Sequence, residues 1–297
     1  MSGDGPGPGL SQPVPSREEL VRAVTDRRAA EALLDRIVAE NRFTIAVVFP
    51  ITGAALLLAS AEGLLPDPIA FHPLLILSGV LVMRLPLVSG IVPLIDRRGV
   101  AALGALIAYT YAVEFVGAST GIPYGEFSYE VALGPMLFGL IPVALPVFFI
   151  PLVLNSYLLS VLLLGERAGS ALIRVPTVAA VVVTVDLVLD PAAVALGFWE
   201  FGTEEFYGVP YANYAGWVLS AAVATVLIDL AFDRTALLAR VEECSYILDD
   251  MVSFVVLWGA VSAFYGAWIP VAIAGLFAVG LVRLDRFDFV GLAPVSR

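Results

Sequence analysis

Residues 181–191 read V-V-V-T-V-D-L-V-L-D-P. Two acids, Asp186 and Asp190, stand in an otherwise apolar run. Four residues apart, they share one face if the run is helical. In water that placement costs little. At the centre of a membrane-spanning helix each carboxylate costs about 2.5–3.5 kcal/mol on an insertion scale. Whether the chain is a membrane protein therefore decides both the fold and the meaning of these acids.

The composition points to a membrane. Of the 297 residues 60% are apolar, and the mean hydropathy is +0.93. Soluble domains are about 45–50% apolar. Apolar runs recur from residue 43 to residue 283, unlike one signal peptide ahead of a soluble body. Eight of them approach the roughly 20 apolar residues of a helical span: 43–61, 71–95, 99–118, 136–164, 174–196, 213–232, 246–264 and 267–283. The fourth holds Pro142, Pro146 and Pro151, which predicts a kink or tilt. The expected fold is an all-α, polytopic membrane helix bundle of about eight transmembrane helices.

The basic residues set the orientation. All sixteen are arginine. With eight spans, fifteen fall on one side: in the N-terminal tail, at 97–98, at 167–174, at 234–240 and in the C-terminal tail. The connections 62–70, 119–135, 197–212 and 265–266 contain none. The positive-inside rule then makes both termini cytoplasmic in a multi-pass protein of the cell membrane. Arg84, the sixteenth, lies inside the second span and needs a partner.

The tails divide further. Residues 1–15 are rich in Gly, Pro and Ser, which predicts disorder. Residues 16–40 read as a cytoplasmic amphipathic helix, opened by a Ser16/Glu19 capping box. The transmembrane domain follows at 41–288, with a short tail at 289–297. The single Cys244 excludes an intramolecular disulfide, and with the single His72 it argues against a Cys/His metal site. No glycine-rich nucleotide motif occurs, so no cofactor and no metal is expected. A net charge of −11 argues against nucleic acid as a partner. Excess acid without lysine fits a high-salt cytoplasm.

The polar groups at membrane depth are Arg84, Glu114, Asn155, Asp186 and Asp190, with Asp229 nearer the cytoplasmic end. Such groups can simply pair and fix helix packing. Here four acids face one arginine. A carboxyl without a counter-charge in low dielectric tends to stay neutral, the state a general acid requires. Glu114, Asp186 and Asp190 fall in the outer half, beneath the loops G-I-P-Y-G-E-F-S-Y-E (121–130) and Y-G-V-P-Y-A-N-Y (207–214). Their tyrosines read as an interfacial aromatic belt. Their shared Gly-Pro-Tyr turns add rigid geometry, which suits a lid.

These stretches resemble a known family. E-F-V-G-A-S-T-G-I-P-Y-G-E-F-S-Y (114–129), L-G-P (133–135) and I-P-V-A-L-P (141–146) are similar to the membrane carotenoid hydratases. D-L-V-L-D-P-A-A-V-A-L-G-F-W (186–199) with Y-G-V-P-Y-A-N-Y-A-G-W (207–217) resembles the family's second block. The acidic, lysine-free composition points to the haloarchaeal branch. The resemblance implies adding water across the terminal double bonds of a C50 carotenoid, turning bisanhydrobacterioruberin into bacterioruberin. The implied partners are a carotenoid substrate within the bilayer, membrane lipids and other carotenoid-synthesis enzymes.

The residue roles follow from the chemistry. Hydration of a trisubstituted alkene needs a proton donor and a base for the attacking water. Asp186 and Asp190 are the first pair and Glu114 the third candidate. Arg84 is expected to hold one of the three ionised. Asn155 is placed to position water, and Tyr124 and Tyr211 to stabilise the carbocation. Two rival readings use the same residues: a proton-coupled transporter and a non-catalytic scaffold of carotenoid synthesis.

Overall fold

A computed structural model of the chain describes residues 15–131, 133–284 and 286. The segment expected to be disordered, Pro15 apart, and the C-terminal tail at 289–297 lie outside the described residues. The described residues form a helix bundle with four short strands. Helices α1 (Arg17–Thr25) and α2 (Arg27–Glu40) open it. Residues 16–40 thus make two helices rather than one. The break falls at Asp26, which caps α1 and accepts from the Arg28 N–H as N-cap of α2. The Ser16/Glu19 capping box is formed in both directions.

The apolar helices follow. A π-helical turn at Thr44–Val48 leads into α3 (Phe49–Ala61). Then come α4 (Pro73–Ile91), α5 (Arg97–Thr120), α6 (Pro146–Leu164), α7 (Ala171–Ala195) and α8 (Tyr211–Ala231). The short amphipathic α9 (Arg234–Glu243) precedes α10 (Asp249–Phe264) and α11 (Trp268–Arg283). Six segments are long and apolar enough to cross a membrane: Thr44–Ala61, Pro73–Leu94, Arg97–Thr120, Pro146–Gly169, Ala171–Ala195 and Tyr211–Ala231. This is the construction of a multi-pass membrane protein. The last two apolar helices, of 16 residues each, are about 24 Å long, shorter than the roughly 30 Å hydrocarbon core.

One boundary differs from expectation. The fourth span begins at Pro146, not at residue 136. Residues 136–142 form a small hairpin instead, β2 (Met136–Leu137) against β3 (Ile141–Pro142). Gly134 and Gly139, both at positive φ, and Pro142 break the helical path there.

α6 is the central helix, buried from Phe149 to Val161 except at Ile150. It packs on α4, α5, α7, α8, α9 and α10. α7 and α8 lie side by side, α5 packs on α8, and α10 packs on α3, α4 and α7. At one end of the bundle β1 (Phe127–Tyr129) pairs antiparallel with β4 (Trp199–Phe201), Tyr129 opposite Trp199. The connections 119–135 and 197–212 are therefore stitched together by backbone bonds.

Candidate active site

The polar groups of the bundle sort by whether an arginine reaches them. Asp229 receives Arg174 at 2.5 Å and the Tyr157 hydroxyl at 2.6 Å. Asp249 takes a bidentate grip from Arg42 at 2.7 and 2.8 Å. Asp250 is bound by Arg84. Among the described residues, Glu114, Asp186 and Asp190 form no ion pair. Arg84, expected to serve one of these three, serves Asp250 instead. Asp250 was missed because it opens a predicted span, where acids pass as end-of-helix residues.

Proline placement explains part of the Arg84 arrangement. Pro151 has no N–H to give to the Val147 carbonyl four residues earlier. The Arg84 Nε–H donates to that carbonyl at 3.3 Å, while Nη1 holds Asp250. Asn155, one turn further along α6, donates from Nδ2 to the other Asp250 oxygen at 2.6 Å. Asn155 and Arg84 thus belong to an ion-paired cluster, apart from the three carboxyls.

The carboxyls gather at the strand-bearing end. Asp186 and Asp190 are both buried on α7, and one amide bridges them. Asn213 Nδ2 on α8 donates to Asp190 Oδ2 at 2.5 Å and to Asp186 Oδ2 at 3.0 Å. Asn213 was missed by the residue-type reading because it opens a helix among aromatics. Glu114, at the far end of α5, accepts from the Tyr129 hydroxyl of β1. Burial and the Glu114 charge push the Tyr129 phenol well above its ordinary range, so it remains a donor.

A cavity of about 160 Å³ connects the two clusters. Arg84 and Asn155 line it at one end; Glu114, Tyr129, Asp190 and Asn213 line it at the other. Its walls are otherwise mostly apolar and aromatic. In its wall Phe149 and Trp217 stack with ring centroids 5.1 Å apart, and Tyr129 meets Trp199 edge-on at 6.1 Å. Asp186 does not face the cavity; it sits behind Asp190, its Oδ1 buried without a partner. Tyr124 lines the wall, buried, its hydroxyl 2.6 Å from Ser220 Oγ. Its ring lies where a Cβ on Gly216 would be only 2.5 Å from Tyr124 Cδ1. Tyr211 is 64% exposed and stands outside the cavity lining. It opens α8, and its N–H goes to Glu205 at 2.5 Å.

The arrangement offers proton-carrying groups to an apolar ligand end. Two carboxyls without counter-charge face a greasy, aromatic-walled space. Such a space suits a hydrocarbon, and its π-faces suit a transient cation.

Comparison with known proteins places the chain in a class. Residues 71–281 match the family described as carotenoid biosynthesis protein, and the chain belongs to that family. It is 60% identical over 260 residues, 88% of this chain and 89% of the relative, to a bisanhydrobacterioruberin hydratase of Haloarcula japonica. No solved structure matches it.

Proposed function

We propose that this protein is a carotenoid hydratase. It adds water to the terminal C=C bonds of a C50 carotenoid, converting bisanhydrobacterioruberin to bacterioruberin. The relative's name supports the activity and substrate. The observation that carries the mechanism is that Asp190 and Glu114 line one aromatic cavity while Arg42, Arg84 and Arg174 are each paired with another acid.

The step balances without a redox partner. A carboxylic acid gives its proton to the less substituted alkene carbon, using the π electron pair to form a C–H bond. A tertiary carbocation remains, stabilised by neighbouring π-faces. The water oxygen forms the new C–O bond, and a carboxylate takes the proton that water releases. Returning that proton to the donor resets the site. Asp190 and Asp186, sharing the Asn213 amide, form a dyad suited to holding one proton between them. Glu114, fixed by Tyr129, is the base. The reaction is that of a hydro-lyase and uses no cofactor.

The same reading fixes the setting. The chain crosses the cell membrane eight times with both termini cytoplasmic, which keeps fifteen arginines on one side. The carboxyl cluster then lies in the outer half, beneath the paired loops. The polyene enters from the bilayer, among lipids and beside other carotenoid-synthesis enzymes.

The test is co-expression in a host that makes the unhydrated carotenoid, with pigments resolved by chromatography and mass spectrometry. Wild type is expected to yield products heavier by one or two waters. Asp186→Asn, one layer behind the cavity, is expected to slow hydration less than Asp190→Asn. Inserted wild-type protein that leaves the pigment mass unchanged would remove the hydratase reading.

A further inference from the structure

Two polar atoms behind the cavity are buried and unmet. Asp186 accepts from Asn213 through Oδ2, but its Oδ1 has no partner. The hydroxyl of Tyr214, the next residue of α8, has none either. Asp186 is 0% and Tyr214 8% exposed, so bulk solvent relieves neither. Buried polar groups are nearly always bonded, to protein or to ordered water. Neither residue lines the cavity, so a polyene lying in the cavity does not meet them.

The two atoms are neighbours. Asn213 ties the first turn of α8 to Asp186 and Asp190 on α7. Val183 and Leu187, which flank Asp186 on α7, pack on the cluster of Phe201, Val209 and Tyr214. The Tyr214 phenol stands in the field of both acids, and more strongly in that of Asp186. No hydrogen bond joins them directly. A carboxyl oxygen and a hydroxyl set apart by more than a hydrogen bond are the partners that one water bridges. It donates to Asp186 Oδ1 and accepts from the Tyr214 O–H, which meets the need of a buried water for two or more polar partners.

The polar line continues in both directions. Tyr211 stands three residues before Tyr214, on the same face of α8, and is 64% exposed. On the inner side Asp186 lies within hydrogen-bond contact of Asp190, and Asp190 lines the cavity. Phenol, water and two carboxyls thus run from an exposed helix end to the reacting acid, on the side away from the cavity.

We propose that Tyr214 and Asp186 hold a water between them and that this site is the route by which Asp190 regains its proton. The inference rests on the hydratase reading and adds a path to it. When Asp190 gives its proton to the alkene, its oxygen keeps the O–H electron pair and the dyad has lost its one proton. The water gives a proton to Asp186 Oδ1 and takes one from the Tyr214 hydroxyl. Tyr214 takes its replacement from solvent at the Tyr211 end of α8. The pair again holds one proton, available to Asp190. Glu114 releases to solvent the proton it took from the attacking water, so each turnover imports one proton and exports one. The proton returns to the donor by way of solvent. Tyr214 touches no substrate and acts through Asp186.

The test uses the purified full chain in lipid vesicles. Infrared spectra identify the carboxylic C=O stretch of the dyad as the band that Asp190→Asn removes. Transfer to D2O without polyene then times the shift of that band as deuterium replaces the proton. Tyr214→Phe keeps the ring and its packing and removes the hydroxyl alone. It is expected to slow this exchange at least about tenfold, the worth of one hydrogen-bonded link in the barrier. Hydration followed by mass spectrometry is expected to show kcat lowered by a similar factor with KM within about twofold. A purely packing role would leave the exchange rate unmoved. Exchange in Tyr214→Phe as fast as in wild type therefore overturns the route. So does the absence of the band, or a wild-type band that stays unshifted in D2O while the enzyme turns over. Slowed exchange with kcat unchanged would overturn the role in proton return. Slowed exchange in a protein that hydrates no polyene would overturn the hydratase reading and leave the water site standing.

Discussion

At one end of the cavity Asp250 meets Arg84 and the Asn155 amide. At the other, Asp190, Asp186 and Glu114 meet an amide and a phenol and no cation among the described residues. Both ends hold buried acids in an apolar bundle, yet they make opposite use of them. An ion pair that is already satisfied does no proton chemistry, and breaking it strands a charge in low dielectric. Burial without a counter-charge disfavours the ionised form of a carboxyl and leaves it free for proton exchange. The first construction is paid for by its partner, whereas the second persists at a standing cost. The difference teaches where to look for chemistry in a membrane bundle: among the acids that no arginine reaches.

The largest effect that can break this contrast is on rate. Asp190→Asn or Glu114→Gln is expected to lower hydration by about 10²–10⁴-fold, the range for a general acid or base. Neither change strands a cation, so thermal unfolding in detergent is expected to stay within about 1 kcal/mol of wild type. A large loss of stability with unchanged turnover would show that these acids are structural.

The opposite pattern is expected at the other end. Asp250→Asn leaves the half-buried Arg84 without its anion and is expected to cost about 3 kcal/mol. The double change Arg84→Met with Asp250→Leu is expected to recover most of that loss, because removing both charges removes the desolvation cost as well. Unfolding monitored by tryptophan fluorescence decides it. A double variant as unstable as the single one would mean that the pair contributes more than mutual neutralisation.

The smallest effects sharpen a second contrast, between the two Gly-x-Pro-Tyr turns. Gly121 and Gly208 open them at φ 74° and 84°, and both turns lie at the strand-bearing end. Their tyrosines diverge. Tyr124 is 3% exposed and bonded to Ser220; Tyr211 is 64% exposed. Tyr124→Phe is expected to cost about 1 kcal/mol, one hydrogen bond. Tyr211→Phe is expected to stay within about 0.5 kcal/mol. Equal costs, measured by the same unfolding, would mean that the sequence echo carries a structural equivalence.

The contrast between the turns also shows how far sequence reading extends. The motif predicts a rigid turn in both places and cannot say which tyrosine enters the wall. That depends on Gly216, whose missing side chain makes room for the Tyr124 ring. Gly216 is remote from the first turn in sequence and meets it only through packing of α8 on α5. Likewise, Asp186 and Asp190 stood out because acids in apolar runs are costly. Asn213 and Tyr129 did not, because an amide in the first turn of a helix and a phenol in a connection are ordinary.

The sequence by itself determined that the chain is a bundle of apolar helices, since hydropathy and run length are local properties. It also determined the positions of the intramembrane acids and, through arginine placement, an expected orientation. Only the tertiary structure decided how the charges are divided. Arg84 was legible as a cation in need of a partner, but the choice of Asp250 over Glu114 depends on helix adjacency and on the carbonyl that Pro151 leaves free. Pairing in a low-dielectric interior is set by distances of a few ångströms between helices far apart in the chain. No local pattern of residues encodes those distances.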